Sequence, residues 1–308
     1  MRIGVDLGGT KIEAAVLNSR GDVRIRRRCA TPPGEYDATL AQIDRLVREI
    51  EREIGHRMSR IGLGVPGSIS PATGLLRNAN SVVLNGHPLD RDLAVLLGRP
   101  VRLENDANCF ALAEARLGAG AAAGVVLGVI LGTGVGSGVV VNGEVLTGTN
   151  RIAGEWGHTP LPRASDAERP GPACFCGSHG CIETWASGPA LSHHHAEASG
   201  MMMSPDEIVL AAEAGDATAA ESLRDHLDRL GRGLAQVVNI LDPDVIVLGG
   251  GLSNMPHLAD RLPDAIRPHV FSDCFDTPVR TNMLGDSAGV IGAAWLWPDD
   301  GTEISGAL

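Results

Sequence analysis

An α/β protein of two similarly built lobes is what this chain predicts, on three observations. Apolar runs of strand length alternate with stretches of helical spacing along the chain. IGVDLGGTKIEAAVLNSRG from Ile3 and GVILGTGVGSGVVVNGEV from Gly128 share one plan: apolar strand, Gly/Thr turn, second apolar strand, Asn/Gly turn. The 308 residues, 44% of them hydrophobic, suffice for two cores. No solenoid period of about 20 to 50 residues accompanies the duplication.

The elements follow in order. Residues 2–7 and 11–17 are apolar runs joined by Gly8-Gly9-Thr10, a hairpin whose glycines accept positive φ. Leu40, Ile43, Val47, Ile50 and Ile54 recur at helical spacing, and Gly55 stands at the C-terminal stop. RIGLGV at 60–65 reads as a strand ended by Pro66-Gly67. Another at 101–103 leads through Glu104-Asn105-Asp106 into the helical NCFALAEARLG, so Asp106 sits where strand hands over to helix. A strand at 125–131, a helix from Ala217 to Leu241, the strand DVIVL at 244–248 and a closing helix ending near AAWLW complete the chain. The expected division is a first lobe at 1–116, joined by the closing helix 286–298, a second at 117–285, and a polar, flexible tail at 299–308.

Charge narrows the partners. The 37 acidic residues outnumber the 26 basic ones, giving −11, and no Lys/Arg block suits nucleic acid or an anionic membrane. Lys11 and Glu13 interrupt the N-terminal apolar run, so it is not a secretory leader, and no 18-residue apolar span follows. A cytoplasmic protein is expected. In a reducing cytosol Cys174, Cys176 and Cys181, crowded into CFCGSHGCIE, read as a metal site rather than a disulfide. Thiolates suit Zn²⁺, whose fourth ligand could be His158, His179 or one of His193-His194-His195. The histidine run otherwise reads as a solvated surface stretch, and Cys29, Cys109 and Cys274 as small buried side chains.

The turns Gly8-Gly9-Thr10-Lys11 and Gly132-Thr133-Gly134 offer backbone N–H groups and hydroxyls to phosphate oxygens. Neither matches the Walker or GxGxxG pattern. Alone each is an ordinary hairpin; paired, with Asp6 placed to hold Mg²⁺ water, they favour nucleotide. Gly249-Gly250-Gly251 follows the strand DVIVL and precedes Ser253, a good N-cap, so backbone there could lie close to a purine.

In order, LGGTK at 7–11, GVPG at 64–67, ENDAN at 104–108, LGTGVGSG at 131–138, GEWGH at 154–158, the CxCGxxGCxE run at 174–183 and DPDVIVLGGG at 242–251 resemble the landmarks of the ROK family of sugar kinases and sugar-responsive repressors. The resemblance spans nearly the whole chain. PGSISPATG at 66–74, NANSVVLNG at 78–86 and GAAWLWP at 292–298 look most like its bacterial fructokinases. It implies an actin/hexokinase-like (ribonuclease H-like) ATPase fold, two lobes with mixed sheets and an interlobe cleft. It further implies ATP, Mg²⁺, a structural Zn²⁺ held by His158, Cys174, Cys176 and Cys181 in the segment 154–183, and a homodimer. Asn80, Asn105, Asp106, Glu155, His158 and Glu183 match the family's sugar contacts, and Asp106 its catalytic base. The alternatives are helix capping by Asp106 and orientation of zinc ligands by Glu155 and Glu183.

The activity so implied is phosphorylation of a hexose at its 6-hydroxyl, D-fructose to fructose 6-phosphate foremost. Mannose, glucose, N-acetylglucosamine and N-acetylmannosamine are the alternative substrates. A sugar-responsive regulator is disfavoured because the phosphate hairpin begins at residue 3, leaving no room for a helix-turn-helix before it.

Overall fold

The computed structural model describes residues 1–79 and 81–298; Asn80 and the tail 299–308, on both of which expectations rest, lie outside the described residues. The chain divides into two compact units, described here one at a time. Unit 1 comprises Met1–Leu117, Val145–Ala153 and the chain from Leu284 onward; unit 2 comprises Gly118–Glu144 and Gly154–Met283. One segment departs from the expected boundaries: Val145–Ala153, assigned by sequence to the second lobe, belongs to unit 1. Two hydrogen bonds hold it there, from Thr147 Oγ1 to Glu104 Oε2 and from Arg77 Nη2 to the Asn150 carbonyl, 2.8 and 2.7 Å long.

Unit 1 runs β1 (Arg2–Leu7), β2 (Lys11–Leu17), β3 (Val23–Ala30), α1 (Tyr36–Ile54), β4 (Ile61–Val65), the short β5 (Ser68–Ile69) and β6 (Leu76–Arg77), α2 (Leu89–Leu97), β7 (Val101–Asn105) and α3 (Asp106–Leu117). In α1 the residues Leu40, Ile43, Val47 and Ile50 are buried on one stripe, and Gly55 closes the helix at φ 71° with its N–H on the Glu51 carbonyl. The stripe packs on a sheet of order β3-β2-β1-β4-β7 and builds one continuous core with Ile3, Val5, Leu63 and Val65. Strands β1 and β2 are antiparallel, as are β2 and β3, whereas β1, β4 and β7 run parallel. The edge strand β3 has no clear sequence signal because VRIRRRCA, with four arginines, is mostly exposed. Two of those arginines do structural work, since Arg28 and Arg26 pair with Glu13, which is only 1% exposed on β2.

Unit 2 repeats the plan with β8 (Val125–Leu131), β9 (Val135–Val141), β10 (Glu144–Val145), α4 (Glu183–Ala186), α5 (Gly188–Ser199), α6 (Pro205–Glu213), α7 (Ala217–Leu241), β11 (Val245–Gly249), α8 (Leu258–Ile266) and β12 (Val279–Thr281). Its order is β10-β9-β8-β11-β12, with β8 and β9 antiparallel and β8, β11 and β12 parallel, matching the first sheet place for place. This is the actin/hexokinase-like, ribonuclease H-like α/β fold, present twice. Helices α7 and α8 bury Leu230, Leu234, Leu262 and Ile266 against the sheet. The irregular stretch before α4 is pinned to α7 by Glu168. Its carboxylate, 11% exposed, accepts from Arg232 at 2.7 Å, Arg229 at 3.1 Å and the Ser165 N–H at 2.9 Å.

The last helix, α9 (Ala288–Ala294), lies across β1, β4 and α3 in unit 1. Three glycines make that approach possible: a Cβ at Gly4, Gly62 or Gly292 would collide with backbone at Val290, Ala293 or Cys109 respectively. Among the described residues no helix is long and apolar enough to cross a membrane.

Two outcomes follow. Gly62→Ala must push α9 off β4 and should destabilise the protein by about 2 to 3 kcal/mol, read as a lower urea midpoint; an unchanged midpoint would show the contact to be slack. Burial opposes the charge on Glu168, but Arg232, the Ser165 N–H and Arg229 hold its pKa down at about 2, against an ordinary 4.5. The stability it contributes is therefore whole above pH 4.5 and is lost as pH falls toward 2. Glu168→Gln should flatten that limb of the stability curve and lower stability at neutral pH, whereas an unaltered acid limb would contradict the pairing.

Candidate active site

In unit 1 the β1–β2 register pairs Leu7 with Ile12 and leaves residues 8–11 as the turn, closed by the Gly8 N–H on the Lys11 carbonyl at 2.9 Å. Gly9 and Thr10 lie exposed at its tip. Neither Gly8 nor Gly9 has positive φ, contrary to the expectation from sequence. Space is the constraint instead, because a Cβ on Gly9 would stand 3.3 Å from Ser81 Oγ and one on Gly8 3.1 Å from the Lys11 carbonyl oxygen. Thr31, just past the end of β3, braces the turn with Oγ1 on the Gly8 carbonyl at 2.8 Å and N–H on the Thr10 carbonyl at 3.0 Å.

Asp6 precedes this turn. Its carboxylate is lodged between two glycines, since a Cβ on Gly289 would come within 3.1 Å of Oδ2 and one on Gly64 within 3.5 Å of Oδ1. Asp6 retains some exposure, yet loss of solvent around the carboxylate, with Asp106 and Glu13 nearby, pushes its pKa up to about 7 despite Lys11 and Arg28. A hard divalent cation with its waters would reverse that shift, so these residues fit Mg²⁺.

Asp106 is exposed at the start of α3, where β7 ends. The Ala107 N–H reaches both Asp106 Oδ1 at 2.8 Å and Asn105 Oδ1 at 2.9 Å, while Asn105 Nδ2 donates to the Gly67 carbonyl at 3.3 Å. The contact with capping geometry is thus the one made by Asn105, two residues before the N–H, whereas Asp106 accepts only from the next residue. The Asp106 side chain stays exposed, as a base must be to meet a substrate.

In unit 2 the register pairs Leu131 with Val135, leaving Gly132-Thr133-Gly134 as the turn. The Gly188 N–H, in the first turn of α5, donates to the Gly132 carbonyl at 2.8 Å, and Ser187 caps that helix by accepting from the Ala190 N–H at 3.3 Å. A helix N-terminus thus adjoins the turn, a placement favourable to phosphate that the sequence reading missed. Its signal was S-G-P at 187–189, a cap followed by Pro. Glu183 also lies against the turn, with Oε2 accepting from the Val135 N–H at 3.0 Å; a Cβ on Gly134 would stand 2.5 Å from that oxygen. Gly250, at φ 79°, directly follows β11 and has no room for a Cβ against the Leu131 carbonyl, so the Gly249-Gly250-Gly251 backbone is drawn up to the end of β8. Ser253 does not cap a helix: it lies inside the 3₁₀ turn Gly251–Asn254 and donates to the Gly250 carbonyl.

GEWGH forms a 3₁₀ turn, Glu155–His158, laid directly on β9. A Cβ at Gly154 or Gly157 would collide with the Ser137 or Val135 carbonyl. Glu155 projects into solvent, Trp156 is buried and His158 is half-buried. His158, Cys174, Cys176 and Cys181 present ligand atoms all within 4.8 Å of one another. His158 Nδ1 lies 3.5 Å from Cys174 Sγ, and Cys176 Sγ lies 3.6 Å from Cys181 Sγ. A tetrahedral zinc with bonds of about 2.1 Å to nitrogen and 2.3 Å to sulfur needs edges of about 3.6 and 3.8 Å, so the set fits Zn²⁺ and is too open for a disulfide. Burial pushes the Cys181 thiol up to about 12 and raises Cys174 also, whereas the Ser178 N–H brings Cys176 down to about 6. A bound cation is what would let the two buried thiols ionise.

The other zinc candidates lie elsewhere. His179 is exposed outside the cluster. The histidine run sits on α5 and is not wholly solvated: only His193 is exposed, His194 stacks on Trp185 at 4.7 Å, and His195, 1% exposed, bonds Ser222 Oγ through Nδ1 at 3.0 Å. Of the scattered cysteines, Cys109 is buried and Cys29 half-buried, but Cys274 is exposed. Unit 1 therefore gathers Asp6, Gly8–Lys11, Asn105 and Asp106, and unit 2 gathers Gly132–Gly134, Gly249–Gly251, Glu183 and the His/Cys cluster. Asn80 lies outside the described residues. A residue missed by sequence is Glu104, buried beneath Asn105 with its Oε1 accepting from the Asn105 N–H and Asn108 Nδ2.

Comparison with known proteins places the chain in a family. The N-acetyl-D-glucosamine kinase of Shigella boydii serotype 4 is 38% identical over 300 residues, covering 96% of this chain and 99% of that protein. That of Pasteurella multocida is 38% identical over 302 residues, again covering 96% and 99%. Of solved structures, the ROK hexokinase from Thermus thermophilus superposes with a TM-score of 0.85 at 36% identity, covering 96% of this chain and 97% of that one. The ROK family glucokinase from Streptomyces griseus, in complex with glucose and AMPPNP, gives 0.75 at 31% identity, covering 96% and 98%. The expected fructokinase likeness within the family finds no support in these four. A profile of the ROK family matches residues 2–300, nearly the whole of both units, and the chain belongs to that family.

Proposed function

We propose that this protein is an ATP-dependent sugar kinase that transfers the γ-phosphoryl group to the 6-hydroxyl of a hexose. The observation that carries the reading is Asp106, exposed at the β7–α3 junction and electrostatically coupled to Asp6 beside the glycine turn of the same unit. Phosphoryl transfer needs positioning and charge stabilisation above all, and a carboxylate in reach of the attacking hydroxyl to take its proton. In this reading Asp106 is that base. Gly8–Lys11 and Gly132–Gly134 bind phosphate oxygens through backbone N–H groups, and Gly249–Gly251 borders the adenine. Mg²⁺, held through Asp6, would offset charge on the transferring phosphates.

Asn80, Asn105, Glu155, His158 and Glu183 grip the sugar hydroxyls. His158 turns Nδ1 toward the cysteine cluster, so Nε2 serves the sugar, and Glu183 serves it with the carboxylate oxygen that Val135 does not engage. Zn²⁺ on His158, Cys174, Cys176 and Cys181 fixes the segment that carries these groups, its binding free energy becoming folding free energy. N-acetyl-D-glucosamine is the substrate we put first, because the relatives at 38% identity are kinases of that sugar. Fructose, favoured by the Ser68–Ser81 segment, comes second. A cytoplasmic homodimer belongs to the same reading, and light scattering in solution tests the assembly.

Asp106→Asn should lower kcat at least about a hundredfold while sugar binding by calorimetry is retained; near-parental turnover would remove Asp106 from the base role. Native mass spectrometry should find one zinc per chain. Its removal by a chelator should lower both the melting temperature and sugar affinity, and a metal-free protein with unchanged KM and melting temperature would refute the structural zinc.

A further inference from the structure

Glu104 stands one residue before the Asn105-Asp106 pair and is 9% exposed. A carboxylate so placed is costly unless donors satisfy both oxygens. Here they do. Oε1 accepts from the Asn105 N–H at 3.2 Å and from Asn108 Nδ2 at 3.3 Å, and Oε2 accepts from Thr147 Oγ1 at 2.8 Å. Asn108 is itself 5% exposed and one turn into α3, and its Oδ1 has no partner among the described residues. An amide kept in a buried position with half its capacity unused marks its donor as the valued half.

The third donor arrives from far along the chain. Thr147 belongs to Val145–Ala153, the segment that leaves the β9–β10 hairpin, joins unit 1, and passes at Gly154 into the GEWGH turn. It is held at two points, Thr147 on Glu104 and Asn150 on Arg77. Without Thr147 the Oε2 side of the carboxylate would have no donor among the described residues, and Glu104 could rotate about its remaining bonds at Oε1. The backbone it holds is that of Asn105, whose Oδ1 shares the Ala107 N–H with Asp106.

We propose that Glu104 and Thr147 are positioning residues for the transfer step: a carboxylate held at both oxygens sets the strand-to-helix turn that aims Asp106 at the attacking hydroxyl. This rests on the base role proposed for Asp106, and neither residue touches the reacting atoms. Small errors of aim are costly at such a site, because proton abstraction depends steeply on distance and angle.

Thr147→Val in the full chain removes the donor and keeps the shape, and Thr147 is only half-buried, so the fold should survive. Expected are a kcat lowered about tenfold with N-acetylglucosamine or whichever hexose is turned over fastest, and a KM for ATP within about twofold of the parent. Thr147→Ser, which restores the hydroxyl, should recover kcat. In an Asp106→Asn background the same Thr147→Val change should cost nothing further, since there is no longer a base to aim. Glu104→Gln, which keeps an acceptor at one position only, should repeat the kcat loss without a matching rise in KM. Thr147→Val with a kcat within about twofold of the parent, a loss that Thr147→Ser fails to restore, or a full additional loss on top of Asp106→Asn would each overturn the inference. Parental turnover in Asp106→Asn would sink the base role and this inference together, whereas an inactive Asp106→Asn beside an unaffected Thr147→Val sinks the inference alone.

Discussion

The contact between Glu183 and the backbone of Gly134-Val135 is the constraint on which the geometry of unit 2's candidate site depends. It joins two pieces of chain with different origins: the glycine turn, positioned by the antiparallel pairing of β8 and β9, and the irregular segment that ends at Cys181. The turn can approach the carboxylate because Gly134 has no Cβ, and Gly154 and Gly157 let GEWGH lie equally close on β9. The sugar contacts proposed for this unit all hang on that seam. The irregular segment has few regular backbone ladders of its own; it is anchored where Glu168 pairs with Arg229 and Arg232 of α7, and His158, Cys174, Cys176 and Cys181 gather within it.

Unit 1 meets a different problem, which is to keep acidic groups close together away from water. Glu13 solves it with Arg28 and Arg26 from the edge strand, and Glu104 with three hydrogen-bond donors. Asp6 has no such complement among the described residues, and loss of solvent with Asp106 and Glu13 nearby raises its pKa despite Lys11 and Arg28. The difference separates structural from chemical carboxylates: a satisfied acid fixes geometry, and an unsatisfied one beside Asp106 and a glycine turn waits for a counter-charge.

Much of this was legible in the sequence, for physical reasons that differ by element. Helices α1 and α7 could be read because single apolar stripes repeat at the helical period, and Gly55 marks where α1 ends. The duplication of strand, Gly/Thr turn and strand also survived into matching sheet orders, since hairpin pairing is local. The edge strand β3 was hidden because an exposed, arginine-rich strand has no apolar alternation. Val145–Ala153 was hidden because its membership of unit 1 is decided by Glu104 and Arg77, both far away in the chain. The site residues were legible as motif members, but the reasons for the glycines were not: at Gly8 and Gly9 the sequence suggests a backbone angle, and the structure shows crowding. Glu104 was passed over because a carboxylate beside a strand end reads as solvent-facing until its donors are seen. Substrate choice rests on a few pocket contacts, which is why the Ser68–Ser81 segment pointed to fructose while the relatives at 38% identity are kinases of N-acetylglucosamine.

The most direct measurement is ADP release with Mg-ATP in the presence of N-acetylglucosamine, N-acetylmannosamine, glucose, mannose or fructose, each beside a control without sugar, with the sugar product identified by mass spectrometry. A sugar kinase should release ADP well above the control with at least one of these hexoses and form sugar 6-phosphate in equal amount, N-acetylglucosamine foremost. ADP release that no sugar raises above the control would contradict the account at its centre.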